Sequence, residues 1–325
     1  MSFVTNAIDS ALEWTMVGSF TRVGSSVRRR MDHWTPLEGP LLQGKVVVIT
    51  GATSGLGLDA VHSMAAMAAT IVMIVRNGAK ADLVCAEIRK NTPHCDVRFV
   101  VADTGDLVAL RRAADEIQAQ FPVIDVLIHN AGALDNQRQE SPQGMELTMA
   151  SQVVGPFLLT SLLLNSLRAA SHARIIWVSS GGMYSEPLSV SALEMPAGNY
   201  NGVTAYARAK RAQVTLCEMM AARLAADGIV VHAMHPGWAD TPGVARSLPT
   251  FRRIVGPLLR TPAEGADTLV WLATDKGEPL KQNGQFWLDR RPRPIHRMPG
   301  TRRSDTAEER EQLWRWVSEK SGTTF

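Results

Sequence analysis

Tyr206 and Lys210 stand four positions apart in a stretch of helical periodicity, Val203–Ala226, so their side chains fall on one helix face. A phenol in isolation titrates near pH ~10, and an ammonium beside it stabilises the phenolate and draws that value toward working pH. Such a pair suits a group that gives a proton in one direction of a reaction and takes it in the other. The same spacing is also that of any amphipathic helix face. What sharpens it is an apolar strand-like run upstream, Arg174–Ser179, that leads into Ser180. A hydroxyl at the end of a strand can orient and polarise a carbonyl oxygen. Ser179 competes with Ser180 on residue type, whereas Tyr184 lacks a lysine at the fourth following position.

A second constellation lies near the start of the periodic region. Thr50-Gly51-Ala52-Thr53-Ser54-Gly55-Leu56-Gly57 follows the run Val46–Thr50 and opens the helical pattern Leu56–Ala68. Glycines in a strand-to-helix turn let main-chain N–H groups approach a pyrophosphate, and the helix N-terminus supplies the complementary partial charge. About twenty residues beyond the loop, an acid would bond the adenosine 2′-hydroxyl of NAD. The residues there are Val75-Arg76-Asn77, and a guanidinium pairs with a 2′-phosphate, so the expected cofactor is NADP(H) in preference to NAD(H). His232 and His235 have no ligand-spaced partners and read as core or turn residues; no metal is expected.

Placing these groups requires alternating strands and helices. Seven strand candidates (46–50, 70–75, 97–101, 124–129, 174–179, 229–234 and 284–287) alternate with helix candidates at 56–68, 79–91, 107–120, 144–167, 203–226 and 262–273. Most strand candidates are continuous apolar runs, as in parallel strands covered on both faces. The fold class is α/β: one doubly wound parallel seven-stranded Rossmann sheet over residues 44–288, with an N-terminal extension (1–43) and a C-terminal one (289–325). Ligands bind such sheets at the carboxyl ends of the strands. Loops there carry Met183, Tyr184, Leu188, Leu193, Met195, Trp238, Val244, Leu248 and Phe251, with Met183, Tyr184 and Trp238 the leading substrate-pocket candidates. Their apolar character points to a hydrophobic carbonyl or alcohol, and core packing under long loops is the competing account of each.

In this order the motifs resemble the short-chain dehydrogenase/reductase family along the whole 44–288 region. Thr50–Gly57 matches its TGxxxGxG loop, Asn130-Ala131-Gly132 its NAG segment, and Ser180, Tyr206 and Lys210 its Ser…YxxxK set. Asp103, with Thr104 beside it, matches the acid that caps the adenine ring, and Pro236-Gly237, with Thr241 following, matches the turn after the sixth strand. The resemblance implies cofactor contacts at Gly51, Thr53, Ser54, Gly55, Leu56, Gly57, Arg76 and Asn77, and also at Asp103, Thr104, Asn130, Ala131, Gly132, Tyr206, Lys210, Pro236, Gly237 and Thr241. It implies that Lys210 holds the nicotinamide ribose and that the second serine, Ser180, is the active one. It also implies a dimer or tetramer formed through the helices 144–167 and 203–226, with a monomer as the alternative. One departure stands out: where many members place an Asn three residues before a Gly to anchor a proton-relay water, this chain has Gln152-Val153-Val154-Gly155. The added methylene shifts the relay geometry by about a bond length. Three further segments, 179–183, 234–244 and 285–291, resemble one subgroup that carries an N-terminal extension.

Composition narrows the alternatives. With 34 basic and 31 acidic residues the formal charge is +3, too balanced for a dedicated nucleic-acid binder. Three widely spaced cysteines, Cys85, Cys95 and Cys217, fit neither a disulfide framework nor a zinc site, so a reducing, cytoplasmic setting is expected. No apolar run is long enough to span a bilayer. The N-terminal pattern Val4, Ile8, Ala11, Leu12, followed by Arg28-Arg29-Arg30, suits either packing against the core or a sister subunit, or peripheral contact with a membrane; Asp9 and Glu13 favour packing. The resulting expectation is an NADP-dependent oxidoreductase interconverting a lipophilic carbonyl and its alcohol. The alternative is an NADP(H)-binding regulatory or scaffold protein with little catalysis, suggested by Gln152 and the two extensions.

Overall fold

The β-branched runs become strands whose two faces are both covered, which accounts for their continuous apolar character. A computed structural model of the chain describes residues 3–325. Its sheet contains β1 (Val46–Thr50), β2 (Thr70–Val75), β3 (Asp96–Val101), β4 (Val126–His129), β5 (Arg174–Val178), β6 (Val230–Met234), β7 (Phe286–Leu288) and β8 (Arg291–Arg293). They lie in the order β3-β2-β1-β4-β5-β6-β7-β8. The first seven run parallel, as the α/β Rossmann reading requires. The eighth is a difference from the seven expected: part of the Arg- and Pro-rich linker turns back antiparallel on β7. Its two-residue turn places Asp289 and Arg290 both at φ 55, the double left-handed geometry that suits a tight hairpin.

Two buried clusters flank the sheet. One holds Val48, Leu127, Ile175 and Val231 against Leu110, Phe157 and Leu216; the other holds Val47, Ile49 and Ile71 against Val61, Met64 and Leu269. The strand order reverses between β1 and β4, so the crevice of a doubly wound sheet opens at their carboxyl ends.

The helix expected over 144–167 begins at Leu147 and is irregular, with an interruption at Leu163. Leu147–Met149 runs into a π-helical turn, Ala150–Val154, then Gly155–Leu162 and Leu164–Arg168. Gly155 has no room for a side chain because the Thr104 carbonyl presses on it, and Gln152 sits inside the widened turn. Widened turns of this kind recur at functional sites.

The N-terminal extension folds into helices Phe3–Trp14, Met16–Phe20 and Arg22–Met31, with the expected apolar face inverted. The Val4 side chain lies outside the described residues, Ile8 and Ala11 are exposed, and Asp9 is buried. The cause is electrostatic: Asp9 meets Arg28 at 2.7 Å, Arg293 at 2.6 Å and Arg291 at 2.9 Å. Burial alone would raise the Asp9 pKa, but the hydrogen bonds and charges of Arg293 and Arg28 hold it well below the carboxylate range. Arg28, one of the basic residues for which packing and membrane contact are the alternatives on sequence grounds, is fully buried and also meets Asp289 at 2.6 Å. Among the described residues no helix is long and apolar enough to cross a membrane.

At the other end, helix Ala307–Ser321 lies across Gly155–Leu162 and Gly202–Leu224. Trp314 and Phe325 pack on Phe157 with ring centroids 5.1 and 4.9 Å away, and Arg310 reaches Glu218 at 2.7 Å. The helix pair expected to meet a second subunit is thus covered by the chain's own C-terminal segment.

Candidate active site

Asn201 accepts a hydrogen bond from Thr204 N at 3.0 Å and starts the helix Gly202–Leu224, which carries Tyr206 and Lys210 in its opening turns. The Ser179 hydroxyl donates to the Lys210 carbonyl at 3.1 Å, tying the end of β5 to that helix and turning Ser179 away from the cleft. Ser180 points the other way. Its Oγ accepts from Gly182 N at 3.2 Å, and the hydroxyl lies beside the Tyr206 phenol, where it favours the phenolate.

Lys210 is buried; its Nζ donates to the Val178 carbonyl at 3.0 Å and lies 5.1 Å from the Tyr206 ring centroid. Burial draws Lys210 down to about 7. The Tyr206 pKa is raised, contrary to the lowering expected from a neighbouring ammonium: burial dominates, opposed by the Ser180 hydrogen bond. Gln152 completes the group. Its Nε2 donates to the Ala133 carbonyl at 2.6 Å, while Oε1 is buried without a partner among the described residues. A Cβ placed on Gly132 would lie 3.1 Å from that oxygen and 3.2 Å from Lys210 Nζ. The main-chain carbonyl of Gln152 is already bonded by Gln213 Nε2 at 2.7 Å.

The glycine loop lies at the switch between β1 and β4. Gly51 adopts φ +70, and a Cβ there would fall 2.7 Å from Ala131 Cα; Gly57 is closed in by the Asn130 amide. Asn130 Nδ2 donates to the carbonyls of Thr50 and Gly51 at 3.0 and 2.9 Å, and Thr50 Oγ1 accepts from the N–H groups of Asn130 and Ala131. The two segments therefore brace each other. Ser54 is exposed, and no side chain caps the helix Gly55–Ala66 that follows. A tight glycine turn leading into a helix N-terminus without a side-chain cap fits a pyrophosphate. Thr53 and Leu56 are partly exposed on this loop, and Thr241 packs over Gly55.

Arg76 and Asp103 project together from the ends of β2 and β3, 3.7 Å apart and both open to solvent, with Thr104 buried behind them. Asn77 caps the next helix, accepting from Lys80 N at 2.9 Å. Pro236 and Gly237 follow β6, with Gly237 at φ +74 and the Arg260 guanidinium filling the space where its side chain would go.

Of the pocket candidates, Trp238 is half-buried, but Met183 and Tyr184 turn inward. Met183 is fully buried, and the Tyr184 hydroxyl donates to the Pro294 carbonyl at 2.9 Å. Leu188, Leu193 and Met195 are likewise core, which leaves Trp238, Val244, Leu248 and Phe251 as the apolar residues partly open to solvent. Phe20 and Arg260, absent from the sequence reading, stand immediately behind the Ser180 and Gly237 turns. No periodicity or motif marks either.

The chain matches the sequence model of the short chain dehydrogenase family over residues 45–250. It is 33% identical over 270 residues to human dehydrogenase/reductase SDR family member 12, covering 82% of this chain and 84% of that protein. Human retinol dehydrogenase 12 is 31% identical over 276 residues, covering 84% and 85%. Among solved structures, an uncharacterised protein from Mycobacterium paratuberculosis superposes with a TM-score of 0.71 at 26% identity, covering 90% of this chain and 98% of that one. A protein of Beutenbergia cavernae described as an NAD(P)-dependent gluconate 5-dehydrogenase, solved with NADP, gives 0.64 at 25% identity, covering 77% and 97%.

Proposed function

The chain belongs to the short-chain dehydrogenase/reductase family of oxidoreductases, which bind NAD(P)(H), and we propose that it uses NADP(H) to interconvert a lipophilic carbonyl and the corresponding secondary or primary alcohol. The observation that carries this reading is Tyr206 with the buried Lys210 on one helix face, Lys210 Nζ 5.1 Å from the phenol ring, and the Ser180 hydroxyl beside that phenol.

The turn Gly51–Gly57, with Asn130, Ala131, Gly132 and Thr241 around it, would hold the pyrophosphate and nicotinamide end of the cofactor. Asp103, Thr104 and Asn77 would line the adenosine end, where Arg76 would pair with a 2′-phosphate. When bound, the reduced nicotinamide supplies the hydride that reaches the carbonyl carbon. The protein supplies the rest. Ser180 Oγ donates a hydrogen bond to the carbonyl oxygen, and the Tyr206 phenol gives it a proton as the alcohol forms. The phenolate left behind is stabilised by the Lys210 ammonium. Gln152 Oε1, a buried acceptor facing that ammonium, suits a water that returns a proton to the pair.

A lipophilic substrate is supported by the half-buried apolar residues Trp238, Val244, Leu248 and Phe251. The retinol dehydrogenase relatives point the same way, since retinol is a long apolar alcohol. NADPH oxidation across aromatic ketones, aldehydes, quinones and retinal tests the reading, with Tyr206→Phe as control. Turnover that vanishes in Tyr206→Phe is expected. Tight NADPH binding without turnover of any compound would favour a regulatory nucleotide-binding role, and full turnover in Tyr206→Phe would refute the mechanism.

A further inference from the structure

The N-terminal extension reaches the reacting groups through one ring. Phe20 closes the short helix Met16–Phe20 and is 1% exposed, although the helix is otherwise mostly solvent-facing. A Cβ placed on Gly181, the residue after Ser180, would fall 2.7 Å from Phe20 Cε2 and 2.9 Å from His235 Nε2. The ring therefore lies in van der Waals contact with the turn that aims the Ser180 hydroxyl. It also stands edge-on to His235, with centroids 4.4 Å apart, and to Trp238 at 5.8 Å; Trp238 in turn meets Phe251 at 5.0 Å.

The main chain fixes the ring in place. The Phe20 carbonyl accepts from Trp238 N at 2.7 Å and Arg260 Nε at 3.0 Å, and the Ser19 carbonyl accepts from Arg28 Nη1 and Arg260 Nη2, each at 3.0 Å. Asp289 clamps both guanidiniums, with Arg28 and Arg260 each 2.6 Å away. The extension, the 236–238 turn and the β7–β8 hairpin thus meet at one buried ion cluster. Its outcome is that Phe20 cannot shift without moving both loops that bound the cleft.

Resting on the oxidoreductase reading above, we infer that Phe20 is a positioning residue of the active site. The N-terminal extension is then a built wall of the cleft, setting the Ser180–Gly181 turn against Tyr206 and backing Trp238 on the substrate side. Misplacing a reacting group by about an ångström costs on the order of a hundredfold in rate. A ring that holds the serine turn should therefore act on kcat more than on cofactor affinity, because its contacts are made with Gly181, His235 and Trp238.

The full-length variants Phe20→Ala and Phe20→Leu test this through three readouts: NADPH affinity by nicotinamide fluorescence, amide exchange mapped by mass spectrometry, and turnover of benzil, an aromatic diketone. In Phe20→Ala, exchange should accelerate at 180–184 and 236–240 but not in β1 or β4. NADPH affinity should stay within about twofold of the parent, and kcat should fall about tenfold to a hundredfold. Phe20→Leu, which keeps apolar bulk, should recover most of the loss. Unchanged exchange at 180–184 in Phe20→Ala would overturn the inference, as would a loss of NADPH affinity together with faster exchange throughout the sheet in both variants. If the parent protein turns over neither benzil nor any other carbonyl, the oxidoreductase proposal fails on its own, and the exchange pattern still decides whether Phe20 holds the serine turn.

Discussion

Gln152 presents a buried, unpartnered carbonyl oxygen to the Lys210 ammonium across Gly132, which has no side chain to keep them apart. The widened turn Ala150–Val154 is what aims the longer amide there, and Gln213 has already taken the main-chain carbonyl of the same residue. Replacing Gln152 by Leu keeps the volume and removes the acceptor. We expect kcat for carbonyl reduction to fall about tenfold to a hundredfold, the usual scale of a proton-transfer contribution. NADPH affinity should be unchanged, and the solvent deuterium isotope effect should rise. Wild-type kcat in Gln152→Leu would remove Gln152 from the proton path.

Lys210 and Tyr206 are pulled in opposite directions by the same burial, the lysine down to about 7 and the tyrosine up. As pH rises through about 7 the free protein loses the ammonium while the phenol keeps its proton. In the proposed mechanism reduction needs both, since the ammonium stabilises the phenolate that remains. The profile of kcat/KM for reduction should be level below that point and fall about tenfold per pH unit above it. Lys210→Arg carries a charge throughout this range and should flatten the limb, whatever its absolute rate. A limb that survives in that variant would assign the titration to another group.

What local chain geometry encodes was legible: the parallel strands, the glycine turn before a helix, and Tyr206 with Lys210 on one helix face. What depended on distant partners was not. Asp9 reads as the polar side of an amphipathic helix, and Arg28 together with arginines from β8, more than 280 residues away, makes that side the buried one. Strand β8 is three residues long and contains Pro292, below any periodic signal, and is held in place through Asp289. Phe20 and Arg260 lie some 240 residues apart and meet at the cleft. The π-helical turn Ala150–Val154 likewise ends at Gly155, whose missing side chain makes room for the distant Thr104 carbonyl.

In the proposed reading cofactor choice rests on Arg76, which projects from the end of β2 with Asp103 3.7 Å away. A charge-assisted hydrogen bond to a phosphate is worth about 1.5–3 kcal/mol. Arg76→Ala should therefore weaken NADPH binding about tenfold to a hundredfold and leave NADH binding nearly as it was. Fluorescence titration of both nucleotides measures this. Equal losses for the two would show that Arg76 does not read the 2′-phosphate.

The C-terminal helix sets the last expectation. Residues 155–160 are buried beneath it, and Arg223 lies 3.8 Å above the Trp314 ring, so the apolar faces of the two long helices are already satisfied within one chain. A second subunit docking on those faces would have to displace Trp314 and Phe325 from Phe157. Truncating a buried Trp or Phe costs about 3–5 kcal/mol, which makes that exchange unfavourable unless the new contact is large. The full chain should sediment as a monomer of 35.4 kDa at micromolar concentration. The double variant Trp314→Ala, Phe325→Ala should expose the Phe157 face, lower the melting temperature and self-associate. A parent protein that sediments as a dimer, with amide protection gained over 155–162 and 202–224, would show instead that the C-terminal helix yields to a partner.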